Sequence, residues 1–260
     1  MAKIKAIVLR AAGINCDLET EYALEQAGAS ADRIHINRVI ESPALLDDYQ
    51  IMIFAGGFSY GDDVAAGKIL ANQVVHHLSD AIRKFIDDGK LTLGICNGFQ
   101  VLVKTGILPD ISGPGRLDSS AVSIVDNDCG QFQDRWVYLQ PGTDRCVFIT
   151  PDKRIYLPMA HGEGKLVTKD NETLEKIKNN GHVAFRYADA DGNPGTFPVN
   201  PNGSTDDIAG LTDSTGRVMG LMPHPERFIK PTQHPRWTRY KGDLEADGMT
   251  IFNNAVNYLK

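Results

Sequence analysis

Only four of the 260 residues are cysteine, Cys16, Cys96, Cys129 and Cys146, and none stands in a C-x-x-C pair. Zinc-ribbon and thioredoxin-like readings are thereby excluded, and each cysteine is read singly as a free thiol of a reducing cytoplasm. No apolar run is long enough to span a bilayer, and no charged segment precedes an apolar one at the start. The expectation is a soluble, unexported, cytoplasmic protein with no membrane partner. Excess positive charge is lacking too: 27 Lys and Arg face 33 Asp and Glu, a formal charge of −6. That balance argues against nucleic acid as the main partner. Repeats, low-complexity tracts and composition breaks are absent, so one domain over 1–260 is expected. What is present is an ordinary globular mixture, with 42% hydrophobic and 23% charged residues, enough to bury a large core.

Apolar periodicity supplies the layout. Ile4–Leu9, Ile51–Ala55, Leu91–Ile95 and Val218–Met222 are short apolar runs, predicted as strands. Helices are predicted over Asp17–Ala27, from about Val64 to Asp88, from Phe99 onward and over Gly248–Leu259, with Gly28 and Gly89 as stops. Near-continuous apolar strands alternating with helices imply a doubly wound α/β fold, its mostly parallel open sheet flanked by helices. After about Ala121 the strands shorten and Gly and Pro increase, which adds short strands to that core. In such a sheet the site lies beyond the carboxyl ends of the strands, where Asn15, Gly56-Gly57 and Cys96 would converge.

The strongest chemical signal is Gly94-Ile-Cys96-Asn97-Gly98, between an apolar strand and a helix. It has the pattern of a nucleophile elbow with Cys in place of Ser. Glycines two before and two after let strand and helix approach around a strained nucleophile. A thiol at a helix N-terminus is favoured as thiolate, and the N–H of Asn97 is a candidate oxyanion donor. For Cys129 and Cys146 the plain reading, a small buried hydrophobe, stands; Cys16 is ambiguous, at a strand-to-helix turn without elbow glycines.

A thiol nucleophile needs a base, and the base an orienter. Of seven histidines, two have a carboxylate two residues on, in His161-Gly162-Glu163 and His224-Pro225-Glu226. Pro225 drives His224 into an extended conformation, in which residues i and i+2 share a face, so Glu226 can reach the ring. Gly162 gives no such guarantee. The proposed triad is Cys96, His224 and Glu226.

Gly56 and Gly57, at a strand's carboxyl end, are read as a second oxyanion donor and as space for substrate. The stretch through Gly67-Lys68 fails as a phosphate loop, since Asp62 and Ile69 stand where Gly and Ser or Thr are required. Arg227–Lys241 holds five Lys or Arg, no acidic residue, and Trp237 and Tyr240; it is a solvated loop or a partner contact.

Together, Ala55-Gly-Gly-Phe-Ser-Tyr-Gly-Asp62, Gly94-Ile-Cys-Asn-Gly-Phe-Gln100, His161-Gly-Glu-Gly164, Asn200-Pro-Asn-Gly-Ser204 and Gly220-Leu-Met-Pro-His-Pro-Glu-Arg227 resemble the class I glutamine amidotransferases. More narrowly they resemble the glutaminase subunits of phosphoribosylformylglycinamidine synthases. The resemblance runs from about Leu9 to Phe252. It implies a flavodoxin-like sheet and hydrolysis of L-glutamine by Cys96, His224 and Glu226 through a glutamyl thioester, with oxyanion donors Asn97 and Gly57. It implies that Gln100 contacts substrate or supports the elbow, and that His161 and Gly162 line the glutamine pocket. It also implies an ATP-dependent synthetase subunit as partner, with or without a small third subunit, and no cofactor or metal in this chain, ATP and Mg belonging to the synthetase. Departures from the family pattern, Ala12-Gly13-Ile14, Ala55 and Asp63-Val64-Ala65, avoid the triad and bear on docking. The rival readings are a glutaminase serving another synthetase, a cysteine hydrolase, and a non-catalytic scaffold.

Overall fold

A computed structural model describes residues 3–113, 118–240 and 244–260. The first half of the chain builds a parallel sheet: β1 (Lys5–Arg10), α1 (Asp17–Gln26), β2 (Ser30–His35), α2 (Ile36–Glu41), β3 (Ile51–Phe54), α3 (Lys68–Gln73), α4 (Ser79–Asp87), β4 (Leu91–Ile95) and α5 (Asn97–Lys104). Then follow β5 (Val122–Asp126), β6 (Gln133–Pro141), β7 (Ile155–His161), β8 (Glu163–Thr168), α6 (Asn171–Asn179), β9 (Val183–Ala188), β10 (Ile208–Thr212), β11 (Val218–Leu221) and α7 (Gly248–Tyr258). Nine strands form one sheet in the order β2-β1-β3-β4-β11-β10-β9-β6-β7, and β5 pairs with β8 separately. Strands β2, β1, β3, β4 and β11 are mutually parallel; β10, β9, β6 and β7 continue antiparallel.

The doubly wound α/β reading is borne out, and its parallel half follows directly from sequence. β3 and β4 are buried at every residue, as strands covered on both faces must be. Edge strand β2 is buried only at Ala31 and Ile34, with Asp32, Arg33 and His35 more exposed, so it carries no continuous apolar run.

One expected element is corrected. The helix predicted from Val64 begins at Lys68 and is broken by a π-helical turn over Val74–Leu78 before α4. Gly67 sits at φ +72°, its N–H bonded to Asp62, and the Ala66 N–H is committed to the Glu163 carboxylate. Those bonds hold residues 63–66 as a loop against the site.

Helix α5 is buried from Asn97 to Val103, packed between the main sheet, α3 and β5. Its approach depends on glycine: a Cβ on Gly98 would lie 1.9 Å from the Phe54 carbonyl oxygen, and one on Gly94 2.6 Å from the Leu102 side chain. Gly98 is thus a steric requirement of the β3–α5 packing, and Gly94 of the β4–α5 packing.

Candidate active site

Four strand ends meet at one place. β1 leads to Asn15 and Cys16, β3 to Gly56 and Gly57, β4 to Cys96, and β11 to His224. The carboxyl ends of parallel strands have no further strand to pair with there, so their loops are free to carry side chains.

Cys96 caps α5 with φ +50° and ψ −106°, a conformation that a non-glycine residue adopts only when its surroundings impose it. The surroundings are identifiable. The Cys96 N–H donates to Leu221 O at 2.8 Å, Gln100 N–H donates to Cys96 O at 3.0 Å, and the close β4–α5 approach closes the turn. The thiol lines a cavity of about 210 Å³ together with Gly57, Gln100, His161, Gly162 and Glu163. On its other side it borders a smaller cavity of about 50 Å³ shared with Gly57, Cys16, His224 and Arg227.

His224 is extended, at φ −107° and ψ 92°, as the following proline requires. Glu226 differs from expectation, because Pro225 opens a 3₁₀ turn over Pro225–Arg227 instead of continuing the extended chain. A fixed φ near −65° suits the first position of such a turn. The carboxylate nevertheless reaches the ring: His224 Nδ1 and Glu226 Oε1 are 2.6 Å apart, both residues buried. Burial alone would press the imidazole pKa down, but the Glu226 carboxylate and the facing Cys96 and Cys16 thiols outweigh it and hold it well above the ordinary value. His224 Nε2 is buried and has no partner among the described residues, so it is free to meet an incoming group.

Gly57 lies at φ +140°, where a Cβ would be 2.7 Å from Asn15 N, and it bridges to Ile14. Gly56 is glycine because the His224 ring fills its side-chain position: an added Cβ would meet Cε1 at 2.9 Å and the Cys16 sulfur at 3.2 Å. The Asn97 N–H lies in the first turn of α5, where backbone donors have no intrahelical acceptor. Its buried side chain is fully engaged, accepting from Ser59 N–H at 3.3 Å and donating to Asp62 and to Gln100 Oε1, each at 3.1 Å. Gln100 Nε2 in turn donates to Glu163 O at 2.6 Å. Both ends of the Gln100 amide are therefore hydrogen-bonded within the protein, tying the first turn of α5 to β8 at the cavity wall. Burial raises the Asp62 carboxyl above its usual range.

His161 is a different kind of histidine. Its Nδ1 lies 3.0 Å from Asn127 Oδ1, and burial with the neighbouring His224 lowers its pKa to about 3, so it stays neutral. Asn127 also takes up the backbone, donating from Nδ2 to His161 O at 2.8 Å and from its N–H to Gly162 O at 2.9 Å. Gly164 must be glycine, since a Cβ there would lie 1.9 Å from the His161 ring.

Sequence reading missed the setting of Cys16. This thiol is buried, 3.9 Å from His224 Nδ1, and accepts from Arg227 Nη2 at 3.1 Å, while Arg227 Nε pairs with Glu19 at 2.9 Å. Burial raises its pKa to about 11. Asn127 and Arg227 were also missed, because nothing local marks an asparagine between strands or an arginine after a Pro-rich turn. Trp237 and Tyr240 are partly exposed, at 48% and 39%, while Lys241 lies outside the described residues.

A family model described as a CobB/CobQ-like glutamine amidotransferase domain matches residues 3–259. The chain belongs to that family. This amidotransferase is 46% identical to the phosphoribosylformylglycinamidine synthase subunit PurQ of Dehalococcoides mccartyi, over 100% of this chain and 99% of the relative. It is 40% identical to PurQ of Methanococcus maripaludis over 98% and 97% of the two chains. Among solved structures, a chain of PurLQS from Thermotoga maritima superposes with a TM-score of 0.75 at 30% identity, covering 100% of both chains. The glutaminase domain of Trypanosoma brucei CTPS shares the fold alone, at TM-score 0.57 and 12% identity. Among the described residues, no helix of the amidotransferase is long and apolar enough to cross a membrane.

Proposed function

We propose that the chain, acting as one unit over 1–260, is the glutamine-hydrolysing subunit of a phosphoribosylformylglycinamidine synthase. Cys96 Sγ attacks the side-chain carboxamide carbon of L-glutamine, and the developing oxyanion is met by the N–H groups of Asn97 and Gly57. His224, oriented by Glu226, gives a proton to the departing ammonia, leaving a glutamyl thioester on Cys96. It then takes a proton from water, which attacks the thioester and releases glutamate. The raised pKa of His224 suits the first of these steps, since a protonated ring is the form that can donate.

The reading rests most on one observation: the strained cysteine of the elbow and a buried, carboxylate-paired histidine border the same cavity. Its narrower part, the synthase, rests on similarity to PurQ chains over the full length. The partner is then an ATP-dependent synthetase subunit that uses the ammonia, with any small third protein belonging to the same assembly. Phe58 and Phe132, 44% and 52% exposed with ring centroids 6.4 Å apart, rim the cavity mouth as an apolar surface that a partner would cover. Nothing in the proposed steps calls for a cofactor or metal on this chain.

The test is amidine formation by the assembled complex with either nitrogen source. Cys96→Ala should lose glutamine-dependent synthesis and keep ammonia-dependent synthesis. Loss of both, or of neither, contradicts the reading.

A further inference from the structure

The triad has a second thiol at its back. Cys16 Sγ, His224 Nδ1 and a Glu226 carboxylate oxygen all lie within 4.8 Å of one another, and all three residues are buried. Glu226 Oε2 has no hydrogen-bond partner among the described residues, an orphaned acceptor on a fully buried side chain. We propose that Cys16, His224 and Glu226 form an inhibitory site for a borderline or soft divalent cation such as Zn²⁺ or Cd²⁺. The inhibitory effect rests on the reading in which His224 is the proton carrier; the site itself does not.

The donor set is that of zinc chemistry, with thiolate, imidazole and carboxylate supplying one ligand atom each. Bonds of about 2.3 Å to sulfur and 2.0–2.1 Å to nitrogen at a tetrahedral angle separate S and N by about 3.6 Å. The sulfur and Nδ1 already stand 3.9 Å apart. The Nδ1–Oε1 contact must open from 2.6 Å to about 3.4 Å, a modest rotation of the carboxylate. The fourth position falls to the free Oε2 or to water.

Charge also closes. A divalent cation is neutralised by the Cys16 thiolate and the Glu226 carboxylate, while the adjacent Arg227 is already compensated by Glu19. Arg227 Nη2, donating to the sulfur at 3.1 Å, supplies the outer hydrogen bond that metal thiolates commonly receive. On binding, the thiol proton and the His224 Nδ1 proton leave to solvent, and the metal takes both places without any change of oxidation state. The ring is then fixed with its remaining proton on Nε2. With the metal in place of the Nδ1 hydrogen bond to Glu226, the ring cannot cycle a proton at Nε2, and hydrolysis stops.

The experiment uses the full-length chain in a Cys129→Ser background, which removes the exposed thiol, with Cd²⁺ as probe. In Cys129→Ser/Cys96→Ala, a thiolate-to-cadmium charge-transfer band should grow and saturate at one equivalent, and a further Cys16→Ala should abolish it. Absence of the band in the first protein, or its survival without Cys16, overturns the site. In the complex with the synthetase, Cys16→Ala should raise the half-inhibiting Zn²⁺ concentration by at least about 30-fold, within the range that loss of a ligand or its support produces. Unchanged sensitivity overturns the proposal and puts the metal on Cys96. Metal-free turnover of Cys96→Ala reports separately on the catalytic reading.

Discussion

Two strand-to-helix turns of this protein each carry a cysteine at a helix N-terminus, and they are not equivalent. At the β4–α5 turn, Cys96 is held at φ +50° by glycines on both sides and faces the larger cavity. At the β1–α1 turn, Cys16 caps its helix at φ −96°, fully buried, with its thiol pushed up to about 11 by burial. Both flank the same imidazole. On the proposed chemistry a helix N-terminus does not by itself make a thiol the nucleophile; what separates the two is backbone strain that presents the Cys96 sulfur to the larger cavity, whereas Cys16 borders only the smaller one.

The largest expected break in that contrast is kinetic. Cys96→Ala should lower kcat for glutamine hydrolysis by at least about 10³-fold, as removal of a nucleophile does, whereas Cys16→Ala should cost less than about tenfold. Comparable losses would erase the distinction. Next, Glu226→Gln should reduce kcat by about 10²–10⁴-fold through the wrong ring tautomer. His161→Ala, which leaves the proposed proton carrier in place, should be milder in the same assay; equal loss would leave the base unassigned.

Sterics come third. Gly98→Ala sets a Cβ against Phe54 O and should destabilise by about 1–3 kcal/mol, read as a shift in the denaturant midpoint. Gly56→Ala, by pressing on His224, should lower kcat more than stability. A Gly98→Ala protein of unchanged stability would remove the packing argument for the elbow.

The effect that is smallest at neutral pH is a pH slope. His161 titrates near 3 in the folded protein and near 6.5 unfolded, so the unfolded state binds more protons in between. Its contribution to stability is present above about pH 6.5 and is lost as pH falls toward 3. His161→Gln should flatten that part of the stability–pH curve. A slope identical to that of the parent chain would contradict the buried, neutral assignment.

How much of this was legible depended on how local the determinants were. The elbow could be read because its steric needs leave glycines at fixed spacing, and the histidine because proline restricts its neighbour. β3 and β4 were legible as continuous apolar runs. The late start at Lys68 was not, because it depends on Glu163 reaching back to Ala66 from a distant strand. Cys16 reaches His224 across 208 positions, and Asn127 reaches His161 across 34. Contacts of that kind leave no periodicity to read.

The proposed chemistry requires Cys96 to be the thiol that meets glutamine. Incubation with an electrophilic diazo-ketone analogue of glutamine, followed by peptide mass mapping in the assembled complex, tests this most directly. The account predicts one adduct, on Cys96, with none in Cys96→Ala although Cys16 is intact. An adduct on Cys16, or none on Cys96, would contradict it.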